Sequence, residues 1–407
     1  MSNAGFGGAC PFFPNPSGAA LCQLPQQFSD QKSAEEVTSK AVFGAINWNI
    51  TDAIEVSAGV RYLDEEKEFE TAFGLRAAPG GPRDEFNSPI LPPTERATLF
   101  AGFPVQGDDS WNDTVFKLSG SWAITEYNRV YASYSEGFRS GGFAIRGTDP
   151  SRLSYEPEEV SSWEIGSKND FLDGTLRVNL AAFMTTLEGA QFSSVLTRPP
   201  GSAPATNTLI LNNSDDTKIK GFELEAIWSI SDAFSARFIA GFQDTKSGTD
   251  VQSCLVRPFN ANGTACNATN NPTLFPGGVP VANLPTFTTR GGQIARSPDY
   301  NYTIALSYDA EVMGHPLSAN LLAKTIDEYF VGTLLGRPII EDGYTLVDLQ
   351  VSYTYALSAG DELVLNFVGK NLTDEEYVEQ ELPLGTEGGF RGWGAPRTYA
   401  FEVLWKH

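Results

Sequence analysis

The sequence predicts an all-β fold, one antiparallel sheet of about thirteen strands curved as a transmembrane β-barrel. Three observations predict it. Apolar or aromatic residues alternate with small or polar ones at a period of two, segment after segment. Short turns on one side of the pattern answer long connections on the other. Charged residues fall on the face opposite the apolar one, which suits a wet lumen rather than a dry core.

Composition agrees. Aromatic residues make up 12% of the 407, glycine numbers 39, and only 19% are charged, a balance that favours sheets and turns over helix bundles. The net charge of -22 argues against nucleic acid as a partner, because nothing here could neutralise a phosphate backbone. No apolar run approaches the ~18 residues of a membrane helix. The opening MSNAGFGGAC shows no basic region followed by an apolar core, so no signal peptide is expected in it.

Residues 1–40 hold Pro11, Pro14, Pro16 and Pro25 without sustained periodicity, and read as a loop-like segment preceding a barrel over 41–407. From residue 41 the pattern changes. Val42, Gly44, Ile46 and Trp48 alternate with Phe43, Ala45 and Asn47; Thr51-Asp52 turns the chain; Ile54, Val56, Ala58, Val60 and Tyr62 then alternate with Glu55, Ser57, Gly59 and Arg61. Two strands joined so briefly form a hairpin. The same reading places strands near 41–50, 53–70, 113–124, 128–138, 160–171, 176–195, 217–230, 234–248, 300–312, 317–330, 344–357, 361–377 and 397–407. Tight turns fall near Thr125, Leu172-Asp173-Gly174, Ser231-Asp232, Met313-Gly314 and Ser358-Ala359-Gly360. The opposite ends are joined by 139–157, 196–216, 249–299, 331–343 and 378–396. Short connections of this kind lie on the periplasmic side of outer-membrane barrels.

The later strands sort in the same way. Tyr300, Tyr302, Ile304, Leu306 and Tyr308 face outward, as do Val347, Leu349, Val351, Tyr353 and Tyr355, while Asp348, Gln350 and Ser352 face inward. Phe222, Leu224, Ala226 and Trp228 oppose Glu223, Glu225 and Ser229. In the closing strand Tyr399, Phe401, Val403 and Trp405 oppose Ala400, Glu402, Leu404 and Lys406. A large soluble β-sandwich or propeller is the rival reading of alternation alone.

Four stretches are more specific: NRVYASYSEGFRSGGF at 128–143; Tyr155-Glu156-Pro157-Glu158-Glu159 with Trp163–Lys168, Asp173-Gly174 and Asn179–Phe183; Gly369–Tyr377, reading GKNLTDEEY; and Ala395–Val403, reading APRTYAFEV. In this order they resemble the barrel domain of TonB-dependent receptors, over about 41–407. The resemblance implies energised uptake of a scarce ligand, such as a ferric siderophore, across the outer membrane of a Gram-negative bacterium. Extracellular loops and the apex of a plug bind the ligand in that family, and TonB pulls on a box near the N-terminus. Neither plug nor box is expected in this sequence. With an odd strand count, a C-terminal part of a larger barrel is expected, its first and last strands unpaired. A passive outer-membrane pore or surface-binding barrel without energy coupling is the alternative. A secreted soluble β-protein is a third reading. Expected partners are outer-membrane lipid, the TonB complex through the plug part, and a small molecule such as an iron chelate. Ligand-binding residues lie on variable loops in this family, and none is carried over.

Little else promises chemistry. Cys10 and Cys22, and Cys254 and Cys266, form two local pairs in loop-like sequence; three connectivities are possible, with nearest-neighbour disulfides the simple choice in an oxidising exterior. A zinc site is the rival, but His315 and His407 are the only histidines and neither is near a cysteine pair. Gly137, Gly141, Gly142 and Gly147 fit no phosphate-loop pattern. The run Asp64–Glu68 reads as solvated surface. No Ser/His/Asp set can be nominated, so no enzyme activity and no cofactor are expected.

Overall fold

The computed structural model describes residues 28–76, 105–144, 153–197, 206–212, 215–248, 250–253, 286–289, 292–334, 337–357, 360–383 and 389–407. One antiparallel sheet of thirteen strands organises them, each strand paired with its neighbours in chain order. The strands are β1 (Phe28–Asn49), β2 (Ile54–Arg76), β3 (Val105–Ala123), β4 (Asn128–Arg139), β5 (Glu158–Phe171), β6 (Leu176–Glu188) and β7 (Thr217–Ser229). They continue as β8 (Phe234–Lys246), β9 (Tyr300–Val312), β10 (His315–Ile326), β11 (Tyr344–Ala356), β12 (Glu362–Lys370) and β13 (Thr398–Lys406). Number, order and orientation match the sequence expectation.

The register places the apolar residues on one face. Directly opposed positions run Trp48, Val56, Gly120, Ala132, Ile165, Ala182, Phe222, Phe242 and Tyr300 across nine strands. Further along, Leu306 faces Leu321 and Leu321 faces Leu349, while Phe367 lies between Val351 and Phe401. A slip of one residue anywhere would have thrown one set to the other face. On β2 the outward positions are apolar from Ile54 to Tyr62, then turn to Asp64, Glu66 and Glu68. The lipid band therefore ends near Tyr62, and the upper parts of β1 to β3 project beyond it. Tight turns such as Leu172-Asp173-Gly174 and Met313-Gly314 carry positive φ (52°, 55° and 86°; 55° and 77°) and close the short side.

Five two-stranded ribbons build the long side: 142–143 with 154–155, 191–197 with 206–212, 250–253 with 286–289, 329–334 with 337–341, and 378–383 with 389–393.

Some boundaries differ from expectation. The first strand begins at Phe28, not residue 41, so 28–40 are strand rather than loop. This part pairs with 64–76 above the lipid band, where Ser33, Glu35, Glu36, Thr38 and Lys40 need no apolar alternation; the pattern that reveals a strand is absent. The expected strands 176–195 and 361–377 stop at Glu188 and Lys370. Gly189 and Asn371 follow at positive φ (61° and 49°) and turn the chain out of the sheet.

Among the described residues no ladder joins β1 to β13, and the sheet is open. Both edges present apolar side chains: Val42, Ile46 and Trp48 on β1, Phe401, Val403 and Trp405 on β13, 63–80% exposed.

Candidate functional site

The 128–143 stretch sits where β4 leaves the lipid band. Tyr131 points inward and its hydroxyl donates to Glu164 at 2.7 Å. Above it, Ser140 to Phe143 fold inward against β2 and β3. Phe143 stacks on Phe69 at 4.0 Å and meets Trp111 edge-on at 6.0 Å; with Leu153 these form a small buried cluster above the membrane. Lys67 organises the polar half. Its ammonium donates to the Gly141 carbonyl at 2.8 Å, pairs with Glu65 at 3.1 Å and lies 5.7 Å from the Trp111 ring centre. The Ser140 hydroxyl donates to Glu65. Gln191 closes the far side, donating to the carbonyls of Ser140 (3.1 Å) and Glu156 (2.9 Å).

This packing explains the glycines. A Cβ on Gly141 would stand 2.5 Å from Trp111 Nε1 and from the Tyr155 carbonyl oxygen, so only hydrogen fits. Burial pushes the Glu65 carboxyl up, but the Ser140 hydroxyl and the Lys67 ammonium outweigh it and hold the group below its ordinary value.

The other two motifs meet across the rim. Asn371, 5% exposed, donates through its backbone to Asp348 (2.8 Å) and through its amide to the carbonyls of Glu375 (2.9 Å) and Ala395 (3.0 Å). Arg397 pairs with Asp374 at 2.8 Å. GKNLTDEEY and APRTY are thus tied together by Asn371 and Arg397. Nearby, Tyr344 stacks on Tyr377 at 4.7 Å, and buried Glu341 accepts the Val378 N–H at 2.8 Å. Burial pushes the Tyr344 phenol up to about 12, with Tyr329, Tyr377 and Glu341 adding to it, so it stays a neutral donor.

Two hollows mark the inner wall. The upper, about 360 Å³, is lined by Arg296, Asn301, Lys324, Tyr329, Val378 and Glu379, among others. Among the described residues neither Arg296 nor Lys324 has an ion-pair partner, and Arg296 is held at φ 61° by its N–H to the Phe330 carbonyl. The lower, about 460 Å³, lies against Tyr131, Lys168, Asn179, Glu223 and Glu225. There Arg237 pairs with Glu225 at 2.6 Å, and Asn179 donates to the same carboxylate at 3.0 Å. Asn179 Oδ1 is buried without a hydrogen-bond partner among the described residues. Asn301 borders both hollows, giving a polar path down the wall.

The candidates read from the sequence fare unevenly. Cys10, Cys22, Cys254 and Cys266 lie outside the described residues. The acidic run is divided by the strand: Glu65 faces inward, while Asp64, Glu66 and Glu68 face outward. No group of three or more metal-ligating side chains occurs among the described residues. Phe69, Trp111 and Leu153 had no signal in the sequence, because what makes them partners of Phe143 is spatial; Arg296 and Lys324 were likewise unmarked.

The family description "TonB dependent receptor-like, beta-barrel" matches residues 4–372. The catecholate siderophore receptor Fiu of Escherichia coli is 22% identical over 383 residues, covering 88% of this chain and 40% of the relative. The pesticin receptor of Yersinia enterocolitica is 23% identical over 198 residues, 48% of this chain and 24% of the relative. The crystal structure of the ferric yersiniabactin uptake receptor FyuA from Yersinia pestis superposes with a TM-score of 0.64 at 14% identity, covering 92% of this chain and 46% of that one; it shares the fold. The chain spans less than half the length of these relatives. Motifs, register and matched span agree: the chain belongs to the β-barrel family of TonB-dependent receptors.

Proposed function

We propose that this chain is part of the wall of an outer-membrane receptor that takes up a scarce ligand, such as a ferric siderophore, by TonB-coupled transport. Receptors of this family reside in the outer membrane of Gram-negative bacteria, and the apolar outer face supports that location here. The observation that carries the reading is the upper hollow, where Arg296 and Lys324 stand beside Tyr329 at the extracellular end of the inner wall, two cations against the single carboxylate of Glu379 in the lining and neither in an ion pair among the described residues. A chain of net charge -22 that keeps two such cations in a concave site has a place for an anionic ligand group. Coupling to TonB would come through a plug part. Residues 1–27 would belong to an extracellular connection entering β1, and the cysteine pairs would close loops on that side.

The polar inner wall also suits the alternative, a passive pore, but a pore has no use for a rim tied down by Lys67, Asn371 and Glu341. Uptake of a panel of ferric siderophores by cells carrying or lacking the gene tests the reading. Loss of uptake of at least one chelate, dependent on TonB, is expected. Unchanged uptake of every chelate overturns the proposal, and TonB-independent diffusion of small solutes would establish the pore.

A further inference from the structure

β3 and β4 separate at the top of the lipid band. Their ladder ends at Lys117 opposite Ser135, yet β3 runs on to Val105 beside β2, and β4 runs on to Arg139 beside β5. Among the described residues the upper half of β3 therefore has one paired edge and one open edge. The open edges of β1 and β13 can take further strands of a barrel wall. This one lies between two neighbours already in place, so completing the wall does not fill it.

The ladder fixes what the edge presents. The Ala123 N–H donates to the Ala53 carbonyl on the β2 side, and the β2–β3 register runs unshifted from Trp122 to Val105. Odd-numbered N–H groups thus point to β2 and even-numbered ones to the gap. Three of the latter are taken by carboxylates in place of a strand. Ser110 N–H donates to Asp109 at 2.8 Å, Thr114 N–H to Asp113 at 2.7 Å, and Phe116 N–H to Glu136 at 3.0 Å. These carboxylates do the accepting that carbonyls of a paired strand would do.

The gap is also acidic on both sides. On β5 the Glu159 carboxyl is pushed up by burial and then by Asp113, Glu188 and Glu136. The cations nearby do not balance them. Lys67 is held by Glu65 and the Gly141 carbonyl, while Lys117 and Arg139 mark the foot of the gap and the far end of β4. Asp109 and Asp113 share one face of β3, four residues apart, on either side of buried Trp111.

We propose that the open edge of β3, from Gln106 to Phe116, binds an extended cationic peptide as an added strand, with basic side chains four residues apart meeting Asp109 and Asp113. The peptide supplies carbonyls to the even-numbered N–H groups and frees the carboxylates for its own charges. A second copy of this chain is the poorer occupant. In one membrane its β3 runs in the same direction, and its edge carries the same negative charge. The inference holds whether or not the chain transports a ligand.

The test measures fluorescence anisotropy of a short dye-labelled peptide added to the full chain in detergent micelles. The peptide carries lysine at every fourth position with threonine and valine between. It binds, and the same peptide with glutamate for lysine, or N-methylated throughout, does not. Asp109→Asn/Asp113→Asn keeps an oxygen beside each N–H and removes the charge, and binding weakens about tenfold. Asn112→Pro removes an N–H that faces the gap and leaves the β2 ladder whole, so binding is lost while the urea unfolding midpoint stays. Equal binding of the N-methylated peptide reduces the contact to charge and overturns the proposal, as does equal binding by either variant. Should the proline shift the unfolding midpoint, the N-methylated peptide on the unaltered chain decides alone. Self-association of the chain without peptide, abolished by Asn112→Pro, would make a second copy the occupant and overturn the proposal.

Discussion

Tyr131 lies across Gly166, its direct partner in the β4–β5 ladder, so closely that a Cβ on Gly166 would stand 2.5 Å from the tyrosine hydroxyl and 2.6 Å from the Leu180 carbonyl oxygen. The glycine makes room for the ring, and the ring covers backbone that the glycine leaves bare. The arrangement recurs on the inner face with Phe183 opposite Gly221 and Phe69 opposite Gly107.

Gly166→Ala therefore forces either the ring or the backbone to move, and the backbone is pinned by two ladders. The expected loss is about 1–3 kcal/mol, the usual effect of overpacking. Tyr131→Phe keeps the ring and removes only the bond to Glu164, for about 1 kcal/mol. Urea unfolding in detergent micelles reads both. An alanine at 166 that leaves the midpoint unchanged would mean that the ring is not seated there.

A second prediction concerns pH. The Glu65 carboxyl is held below its ordinary value, so its contribution to the rim is fully present above the ordinary glutamate range. It is lost as pH falls through the lower folded value, when Ser140 and Lys67 lose their anionic partner. Hydrogen exchange of the 140–144 amides should rise over that acid window while amides of β6 remain protected. Glu65→Gln should flatten the dependence at these amides. A profile that is the same in the variant would remove Glu65 as its cause.

The sheet was legible in the sequence because a bilayer imposes alternation: Ile54 to Tyr62, Tyr300 to Tyr308 and Tyr399 to Trp405 each repeat a period that the ladders then honour. Above the lipid that constraint ends. Residues 28–40 are strand, but those from 34 to 40 are exposed at successive positions, and the stretch reads as loop. The rim was visible only as motifs. Asn371 could be quoted within GKNLTDEEY, yet its bond to Ala395 depends on a left-handed backbone and on a chain segment 24 residues away. The upper hollow was hidden for a plainer reason: Arg296 and Lys324 belong to different segments, and only the β9–β10 pairing brings those segments together.

The facing of the wall can be mapped by charge. Leu349 lies between Leu321 and Gly369 on the lipid side, and its neighbour Gln350 faces Asn320 on the inner side. Leu349→Arg should cost roughly 2–4 kcal/mol near the bilayer midplane, and Gln350→Arg little. Unfolding titrations in lipid vesicles measure the difference. Equal costs would contradict the assigned faces.

The two cysteine pairs are expected to form the local bridges Cys10–Cys22 and Cys254–Cys266. Each closes a loop slightly smaller than the 15-residue case, for which chain entropy gives about 3 kcal/mol. Intact mass after alkylation, with and without reductant, decides it in exported protein. Four alkylated thiols without reductant would exclude both bridges.

The last prediction follows from strand direction. In a sheet whose neighbours are all antiparallel, odd-numbered strands run one way, so β1 and β13 both descend toward the short-turn side. Pairing them with each other would create a parallel seam in an otherwise antiparallel sheet. Leaving them unpaired in hydrocarbon exposes a row of N–H and C=O groups at several kcal/mol each. The antiparallel way out is an odd number of strands from elsewhere, ascending beside both edges, which also makes the total even. Cysteines placed by Ile46→Cys on β1 and Val403→Cys on β13 should therefore not cross-link within one chain in detergent or lipid, whereas Ile46→Cys with Ala58→Cys, which face each other, should do so readily. Efficient cross-linking between 46 and 403 would show that the chain closes on itself and that the open edges are not a property of the folded protein.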